Sequence, residues 1–331
     1  MSIKQVLTLI MSLALLAALC GCEQPPAETQ PDADGYPPVA AELLMATGDM
    51  DGSYYAYGNV LAQAVIGAGR GVTISVEGSE STDDSLLRLL SGEIQLAIVQ
   101  GDALHQRYTG DVSAAQQELQ QLQVIAALYP EVCQLIAAAD AGISTAAELS
   151  GKRVGTGSAG SATAESVRQI LAAYQLDAAS VQTQALGFGE AAQALTDQQL
   201  DAFFAVSAAP NNAVSQLAAR RAIVIVPLEG AQIEALIAEY PYYQPQQITP
   251  AEYAFLSAPV NSIAVWSMLV CSADLAEDVA YVLTRAMFEQ QAAIVAGHAK
   301  GVYLDAEAAV RGSSIELHPG ARKYYEEIGV L

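Results

Sequence analysis

Short apolar segments alternate with segments of helical character along most of this 331-residue chain. The body opens with an apolar run at 42–46, a glycine-containing turn and a helical segment at 54–66. Apolar runs at 72–76 and 95–100 then flank a second helical segment at 81–90. Helices that alternate with strands at this spacing predict a parallel sheet covered by helices. Ligand sites of such sheets lie at the carboxyl ends of the strands.

A second series of the same kind follows a long apolar run at 122–138. This run contains Pro130 and is too long for an ordinary strand, so we predict a strand that crosses between two lobes. The apolar segment 263–270 is predicted to return beside it. The sequence therefore predicts an α/β protein with two lobes joined by crossing strands and a ligand cleft between them. The predicted bounds are 39–128 and 258–331 for lobe I and 129–257 for lobe II, with a surface excursion at 240–259.

The N-terminal segment 1–21 has the pattern of a lipoprotein signal peptide: a lysine, an apolar stretch and a small residue before a cysteine. Cys22 is the predicted lipidation site. A transmembrane anchor is the alternative, although the apolar stretch is shorter than the ~20 residues that a spanning helix needs. Residues 22–38 are rich in proline and polar residues, which predicts a tether. The expected location is the cell envelope, periplasmic or extracytoplasmic, with the lipid holding the protein to the membrane.

Charge and composition exclude several classes of protein. The formal net charge of −22 repels phosphate groups, so nucleic acid is not an expected partner. No Cys/His cluster has the spacing of metal ligands, and no histidine adjoins a candidate nucleophile. We therefore expect neither a metal site, nor a cofactor, nor an enzyme.

Two cysteines, Cys133 and Cys271, lie in apolar runs of the body. A disulfide and two buried thiols both remain open, because the distance between the two residues does not follow from the sequence. If 263–270 returns beside 122–138, we expect the two cysteines to come close.

Four segments, 47–57, 100–102, 155–163 and 207–211, follow predicted strands and are expected to line one cleft. Backbone amides and small polar side chains are available there. The predicted ligand contacts in or beside these segments are Gly48, Asp51, Gly52, Ser53, Tyr54, Tyr57, Gln100, Asp102, Gly157, Ser158, Gly160, Ser161, Ala162, Thr163, Phe204, Ser207, Ala208 and Pro210.

The segment 155–163 combines small residues with a helix start, an arrangement that favours an anion. It matches the pattern G-x-G-x-x-G, but it lacks the lysine of a phosphate loop, and Asp177 follows a helix rather than a second strand. A carboxylate-binding loop, a nucleotide site and an ordinary tight turn remain open, and we favour the first. Since no lysine or arginine lies in the four segments, we expect a carboxylate to be held by amides and hydroxyls.

In the segment 47–57, Tyr54 and Tyr57 share a helix face and Tyr55 does not. These rings either pack on the sheet or cover a small polar metabolite in the cleft. Asp49 and Asp51 either neutralise an ammonium group or form a solvated turn.

The ordered set of segments resembles the TAXI family of TRAP-transporter solute receptors, from the start of the folded body to the end of the chain. The glycine-rich opening with its Tyr-Tyr pair and the strand that ends in Gln-x-Asp carry the resemblance. So do the loop of lobe II, a strand and turn ending in Ala-Pro, and the C-terminal segment. In this chain the matching residues are 46–58, 89–102, 149–155 with 160–163, 201–210 and 318–325.

The resemblance implies a periplasmic-binding-protein type II fold that closes around its ligand like a Venus flytrap and delivers it to a TRAP-type membrane permease. Family members are associated with glutamate, glutamine and related carboxylates. Asp49, Asp51 and Ala162 depart from the residues usual in the family, and the added negative charge leaves room for an amine-bearing or neutral ligand. The alternative function is a ligand-sensing lipoprotein that presents its solute to a sensor kinase, without transport.

Overall fold

The computed structural model describes residues 33–48, 50, 53–79, 81–109, 121–159, 161–177, 179–313 and 315–331. Residues 33–38 contain a turn and no helix or strand. The predicted signal peptide, Cys22 and most of the predicted tether lie outside the described residues. Within the described part of the chain, no helix combines the length and the apolar character needed to cross a membrane.

The strands of the described residues belong to one sheet. They are β1 (Ala41–Ala46), β2 (Val72–Glu77), β3 (Leu96–Gln100), β4 (Leu122–Ala138), β5 (Arg153–Gly155), β6 (Gln182–Gln184), β7 (Ala202–Ser207), β8 (Ile223–Val226), β9 (Gln244–Ile248) and β10 (Val260–Ser272). The strand order is β2-β1-β3-β10-β4-β7-β5-β6, with β8 paired to β4 and β9 paired to β10.

Helices connect most of the strands. They are α1 (Ser53–Gly67), α2 (Thr82–Leu90), α3 (Gly101–Thr109), α4 (Ala162–Ala173), α5 (Phe188–Thr196), α6 (Asn212–Ala218), α7 (Ala231–Glu239), α8 (Glu277–Glu289), α9 (Gln291–Gly297), α10 (Ala306–Arg311) and α11 (Pro319–Glu327). Short 3₁₀ turns lie at Ala146–Leu149 and Ala299–Tyr303.

The sheet has two parallel halves that share a central antiparallel pair. In lobe I, β1 pairs in parallel with β2 and β3. In lobe II, β5 pairs in parallel with β6 and β7. The long strands β4 and β10 pair with each other and extend through both halves. The predicted architecture of two α/β lobes joined by crossing strands is therefore present. The residue bounds given above for the lobes remain predictions.

The lobe II sheet is buried on both faces. Two hydrophobic clusters cover these faces. Leu135 of β4 and Phe204 of β7 belong to one cluster, and their neighbours Ile136 and Phe203 belong to the other. This division follows from the alternation of side chains along a strand. It accounts for the continuous apolar runs, since a strand with helices on both sides has no polar face.

The register of the central pair separates the two cysteines. Cys271 lies opposite Gln123, which is ten positions from Cys133 along the same strand. At about 3.3 Å per residue, this offset is roughly 33 Å. Both thiols are buried and free. The expectation that the return of β10 would bring the cysteines together is wrong, because the pairing places them near opposite ends of the ladder.

The segment 240–259 is not a surface excursion. It contains β9, which pairs with β10, and it buries Tyr242, Tyr243 and Tyr253. The hydroxyl of Tyr243 donates to Gln169 Oε1 at 2.7 Å and that of Tyr253 to Gln134 Oε1 at 2.6 Å. A tyrosine ring can enter a core when its hydroxyl has a partner there, and that condition is met by glutamines distant in sequence.

Candidate functional site

A cavity of about 710 Å³ lies between the lobes, where three helices begin or run. Lobe I contributes the start of α2 and one side of α3, and lobe II contributes the start of α4. The lining residues are Ser81, Thr82, Asp83, Asp102, Ala103, Gln106, Arg107, Ala159, Ser161, Ala162, Ala164, Glu165 and Arg168. The cavity thus lies at the carboxyl end of β3 and beyond β5, where a parallel sheet places its ligand sites.

The lobe II wall is the turn that leads into α4. Ser161 caps the helix by accepting a hydrogen bond from the Ala164 amide at 3.2 Å. Gly157 has φ +87°, and a Cβ on it would lie 2.9 Å from the Cβ of Thr163. This position therefore requires glycine. The glycine at this position is thus explained by the tight turn itself, with or without a ligand.

The lobe I wall is dominated by Asp102, which is 1% exposed. Its carboxylate accepts hydrogen bonds from the Ala103 amide at 2.7 Å and from the Ser166 hydroxyl at 3.2 Å. Ser166 belongs to α4, so the second bond joins the two lobes. Burial raises the pKa of Asp102 to about 6, although its hydrogen bonds act in the opposite direction.

Two arginines line the same cavity, each paired with an acid. Arg107 bonds Asp83 at 3.0 Å, and Arg168 bonds Glu165 at 2.8 Å. These hydrogen bonds lower the pKa of both carboxyl groups. The cavity therefore offers two arginines in addition to the amides and hydroxyls on which the sequence prediction relied. Each arginine lies one to two turns beyond the start of its helix, and the sequence segments considered above end before them.

The predicted contacts of α1 lie deeper in lobe I. Tyr54 and Tyr57 both contact Tyr129, at ring-centroid distances of 6.3 and 5.0 Å, which confirms that they share a helix face. Neither lines the cavity, and Ser53 is exposed. The Tyr54 hydroxyl is nevertheless within electrostatic range of Asp102, which does line it.

The remaining predicted contacts are dispersed. Gly48 exchanges hydrogen bonds with Ser79 at the edge of a separate cavity. Ser207 accepts hydrogen bonds from Gln134 and Asn211, and Phe204 is in the core of lobe II. Several others do not line the cavity that Asp102, Ser161 and Ala162 share: Gln100, Gly157 and Thr163 are buried, Ser158 is exposed, and Ala208 and Pro210 follow β7. Asp51, Gly52 and Gly160 lie outside the described residues.

Besides the lining residues outside the predicted contacts, four polar residues behind the lining were not predicted as contacts: Tyr129, Glu131, Ser166 and Lys300. Glu131 had a visible signal, since an acid inside a long apolar run is rarely buried without a reason. Lys300 had none, because its turn reaches this region only through the packing of the C-terminal helices. Within the described residues, no group of three histidine, cysteine or acidic side chains is placed to hold a metal ion.

Comparison with known proteins agrees with this architecture. A model of the NMT1-like family matches residues 45–329. A TctC solute binding protein from Polaromonas is similar in structure, with a TM-score of 0.51 and 16% identity over 88% of this chain and 98% of that chain. The periplasmic aliphatic sulphonate binding protein SsuA from Escherichia coli has a TM-score of 0.47 and 16% identity, over 87% and 83% of the chains. The likeness to the TctC protein confirms the predicted fold class.

Proposed function

Because the chain belongs to the NMT1-like family, we propose that it is an extracytoplasmic receptor that binds a small metabolite between its two lobes without converting it. The observation that carries the proposal is the cavity itself. Its polar lining comes from both lobes, and the bond from Ser166 to Asp102 spans the two walls. A ligand held there contacts both lobes at once and stabilises the closed arrangement.

The proposed ligand is a carboxylate or amino-acid-like metabolite of the glutamate or glutamine type. The start of α4 and the guanidinium groups of Arg107 and Arg168 favour an anionic group. Asp102, with Asp83 and Glu165 close by, suits an ammonium group. A molecule with both groups matches this lining better than a dicarboxylate without an ammonium group, such as succinate, which has no cation to place against the acids.

We further propose that Cys22 carries a lipid that holds the receptor at the membrane, and that a TRAP-type permease receives the solute. The support for the anchor is the N-terminal sequence pattern, and the support for the permease is the resemblance of the segments quoted above to the TAXI family. Detection of a diacylglyceryl group on Cys22 by mass spectrometry tests the first part.

Calorimetric titration of the purified protein tests the ligand class. The panel consists of L-glutamate, L-glutamine, succinate and, as a neutral control, maltose. We expect saturable binding of one molecule per chain for at least one of the amino acids, and weaker binding of succinate. Binding of maltose alone would contradict the ligand class, and the absence of binding across a broad metabolite panel would contradict the receptor function.

A further inference from the structure

A group of buried polar side chains lies beside the cavity, on the lobe I side of Asp102. We call Tyr54, Tyr57, Gln100, Tyr129, Glu131 and Lys300 the inner polar cluster. Gln100 of β3 and Tyr129 of β4 lie opposite Ser267 of β10, one on each side of that strand. The two tyrosines of α1 pack on Tyr129. Lys300 belongs to the 3₁₀ turn Ala299–Tyr303. The residue before this turn, His298, contacts Tyr57, with a distance of 5.4 Å between the ring centroids.

Four polar atoms of this cluster are enclosed and form no well-aligned hydrogen bond with the described residues: the hydroxyls of Tyr54, Tyr57 and Tyr129 and Nε2 of Gln100. Polar side chains lie near three of them, Glu131 near Tyr54, Ser267 near Tyr129 and Asp102 near Gln100, whereas the Tyr57 hydroxyl has no such neighbour within the described part of the chain. Tyr57 and Tyr129 are 0% exposed, and Gln100 is 8% exposed. A buried polar group without a partner destabilises a protein by about 1 to 3 kcal/mol. Four such groups in one place therefore point to a bound group that supplies the missing hydrogen bonds.

The chemistry of these atoms favours an acceptor. Nε2 of Gln100 can only donate, and a tyrosine hydroxyl can donate or accept. Lys300 also only donates; Ala209 accepts one of its hydrogen bonds at 2.5 Å, and an ammonium group has three donors. An incoming ammonium group would leave the glutamine and the lysine unsatisfied. An incoming carboxylate accepts from all of them.

Two acids affect an anion in this cluster: Glu131, which belongs to the cluster, and Asp102, which lies beside it. Burial raises the pKa of Glu131 to about 8, so this side chain is largely neutral at pH 7 and can donate a hydrogen bond. Asp102 has a pKa of about 6 and is therefore mostly ionised at pH 7, and the hydrogen bonds that it accepts from Ala103 and Ser166 stabilise this charge. Its repulsion of an anion in the cluster has to be offset by the charge of Lys300 and by the hydrogen-bond donors. Lys300, which burial leaves with a pKa of about 8, gains stabilisation of its charged form from any anion beside it.

We propose that the inner polar cluster is a subsite that binds the carboxylate of the ligand, with Lys300 as its cation and the three tyrosines and Gln100 as hydrogen-bond donors. The inference rests on the proposed receptor function and adds a specificity site to it. In this arrangement one carboxylate passes Asp102 and lies in the cluster, and the rest of the molecule, including any second anionic group, occupies the cavity beside Arg107 and Arg168.

Formate, the smallest carboxylate, tests the subsite without knowledge of the natural ligand. We expect sodium formate to raise the melting temperature of the wild-type protein more than sodium chloride at equal concentration. Lys300→Met should abolish this difference. A larger stabilisation by ammonium chloride than by formate would overturn the proposal, and so would a formate effect that Lys300→Met leaves unchanged or no formate effect at all.

Tyrosine substitutions provide a second test with variants that fold. Tyr57→Phe and Tyr129→Phe remove hydroxyls that form no well-aligned hydrogen bond, so we expect each to raise the melting temperature of the ligand-free protein and to abolish at least half of the formate-induced shift. Tyr325→Phe is the matched control, since its buried hydroxyl donates to the Ile125 carbonyl at 3.0 Å. That variant should be destabilised and keep the whole formate shift. A loss of stability in Tyr57→Phe and Tyr129→Phe like that of the control would contradict the proposal.

The two proposals fail in different ways. If an amino acid binds but Lys300→Met and Tyr129→Phe change its affinity less than twofold, the receptor function stands and the subsite is wrong. If formate stabilises the protein through Lys300 but no metabolite binds, the subsite stands and the receptor function is contradicted. When both hold, we expect Lys300→Met to weaken amino-acid binding about tenfold or more, as for the loss of a hydrogen bond to a charged group.

Discussion

Asp102 and Ser166 belong to different lobes, and the Ser166 hydroxyl donates a hydrogen bond to the Asp102 carboxylate at 3.2 Å. Both side chains are buried. The bond therefore couples the closed arrangement of the lobes to the ionisation of one carboxyl group, because the ionised form accepts the stronger bond.

Ser166→Ala should destabilise the protein by about 1 to 3 kcal/mol, since it leaves a buried carboxylate with one partner fewer. The pKa of Asp102 should rise further, because the bond from Ser166 lowers it. Urea denaturation at pH 7 measures the first effect. Ser215→Ala is the matched control: its hydroxyl is exposed and bonds the carbonyl of Asn211 in the same helix. A change within ~0.5 kcal/mol is expected there, and equal effects in both variants would contradict the role of Asp102.

Glu131→Gln should change how stability depends on pH. The pKa of Glu131 is raised from 4.5 to about 8, so between these values the folded protein binds more protons than the unfolded chain. Its contribution to stability is complete below pH 4.5 and is lost as the pH rises through 8. Other groups with shifted pKa values affect the pH dependence of stability outside the range of about 6.5 to 8. Asp102, His298 and His318 do so below about pH 6.5, and Lys300 does so above about pH 8.

Between pH 6.5 and 8, therefore, the stability of the wild-type protein should fall, with a slope of up to about 1.4 kcal/mol per pH unit. Glu131→Gln should remove most of that slope. Glu234→Gln changes an exposed acid on α7 and should keep it. Chemical denaturation across this range measures both variants, and a wild-type stability that rises with pH would show that Glu131 is ionised in the folded protein.

Arg168→Met should weaken the binding of a carboxylate ligand severalfold, because the cavity loses a cation while Glu165 keeps its charge. The effect on stability should be within about 1 kcal/mol, as for other exposed ion pairs. Arg311→Met removes an equally exposed arginine paired with Glu307 in the same helix, away from the cavity. Calorimetric titration should show unchanged affinity for this control. A similar loss in both variants would indicate a general effect of net charge.

Gly157→Ala should destabilise the protein by about 1 to 3 kcal/mol, because the left-handed backbone and the short distance to Thr163 both oppose a Cβ. Ligand binding should weaken as well, since the turn positions the start of α4. Gly189→Ala is the control: it lies in α5, and a Cβ there would have no atom within 4 Å. Thermal denaturation should show a small gain in stability for this variant.

The sequence predicts helices and strands well where the spacing of apolar residues matches the burial of the side chains in the structure. The strands β1, β2 and β3 and the helix α2 lie close to the segments predicted for them, 42–46, 72–76, 95–100 and 81–90, because short apolar runs and helical patterns alternate there. The strand β9 was missed, since its sequence Gln-Pro-Gln-Gln-Ile has a polar, half-exposed pattern that resembles a loop. What makes this segment a strand is its antiparallel pairing with β10, the next strand along the chain.

The cavity is only partly predictable. Asp102 lies just after β3, and Ser161 and Ala162 lie where the turn after β5 leads into α4, so a rule about strand ends finds them. Arg107 and Arg168 lie further along their helices, and only the approach of the two lobes brings them together. The cysteines illustrate the same limit: the prediction that two strands are neighbours was right, but the register that separates Cys133 from Cys271 follows from contacts along the whole ladder.

The central ladder of β4 and β10 has a consequence for how this chain can be divided. Each lobe takes part of its sheet from these two strands, and each strand continues without a break into the other lobe. A cut at either crossing would leave both fragments with unpaired backbone amides and carbonyls along an apolar edge. Neither lobe is therefore expected to be a self-sufficient module, and the whole body should be gained, lost or transplanted in evolution and in engineering as one piece.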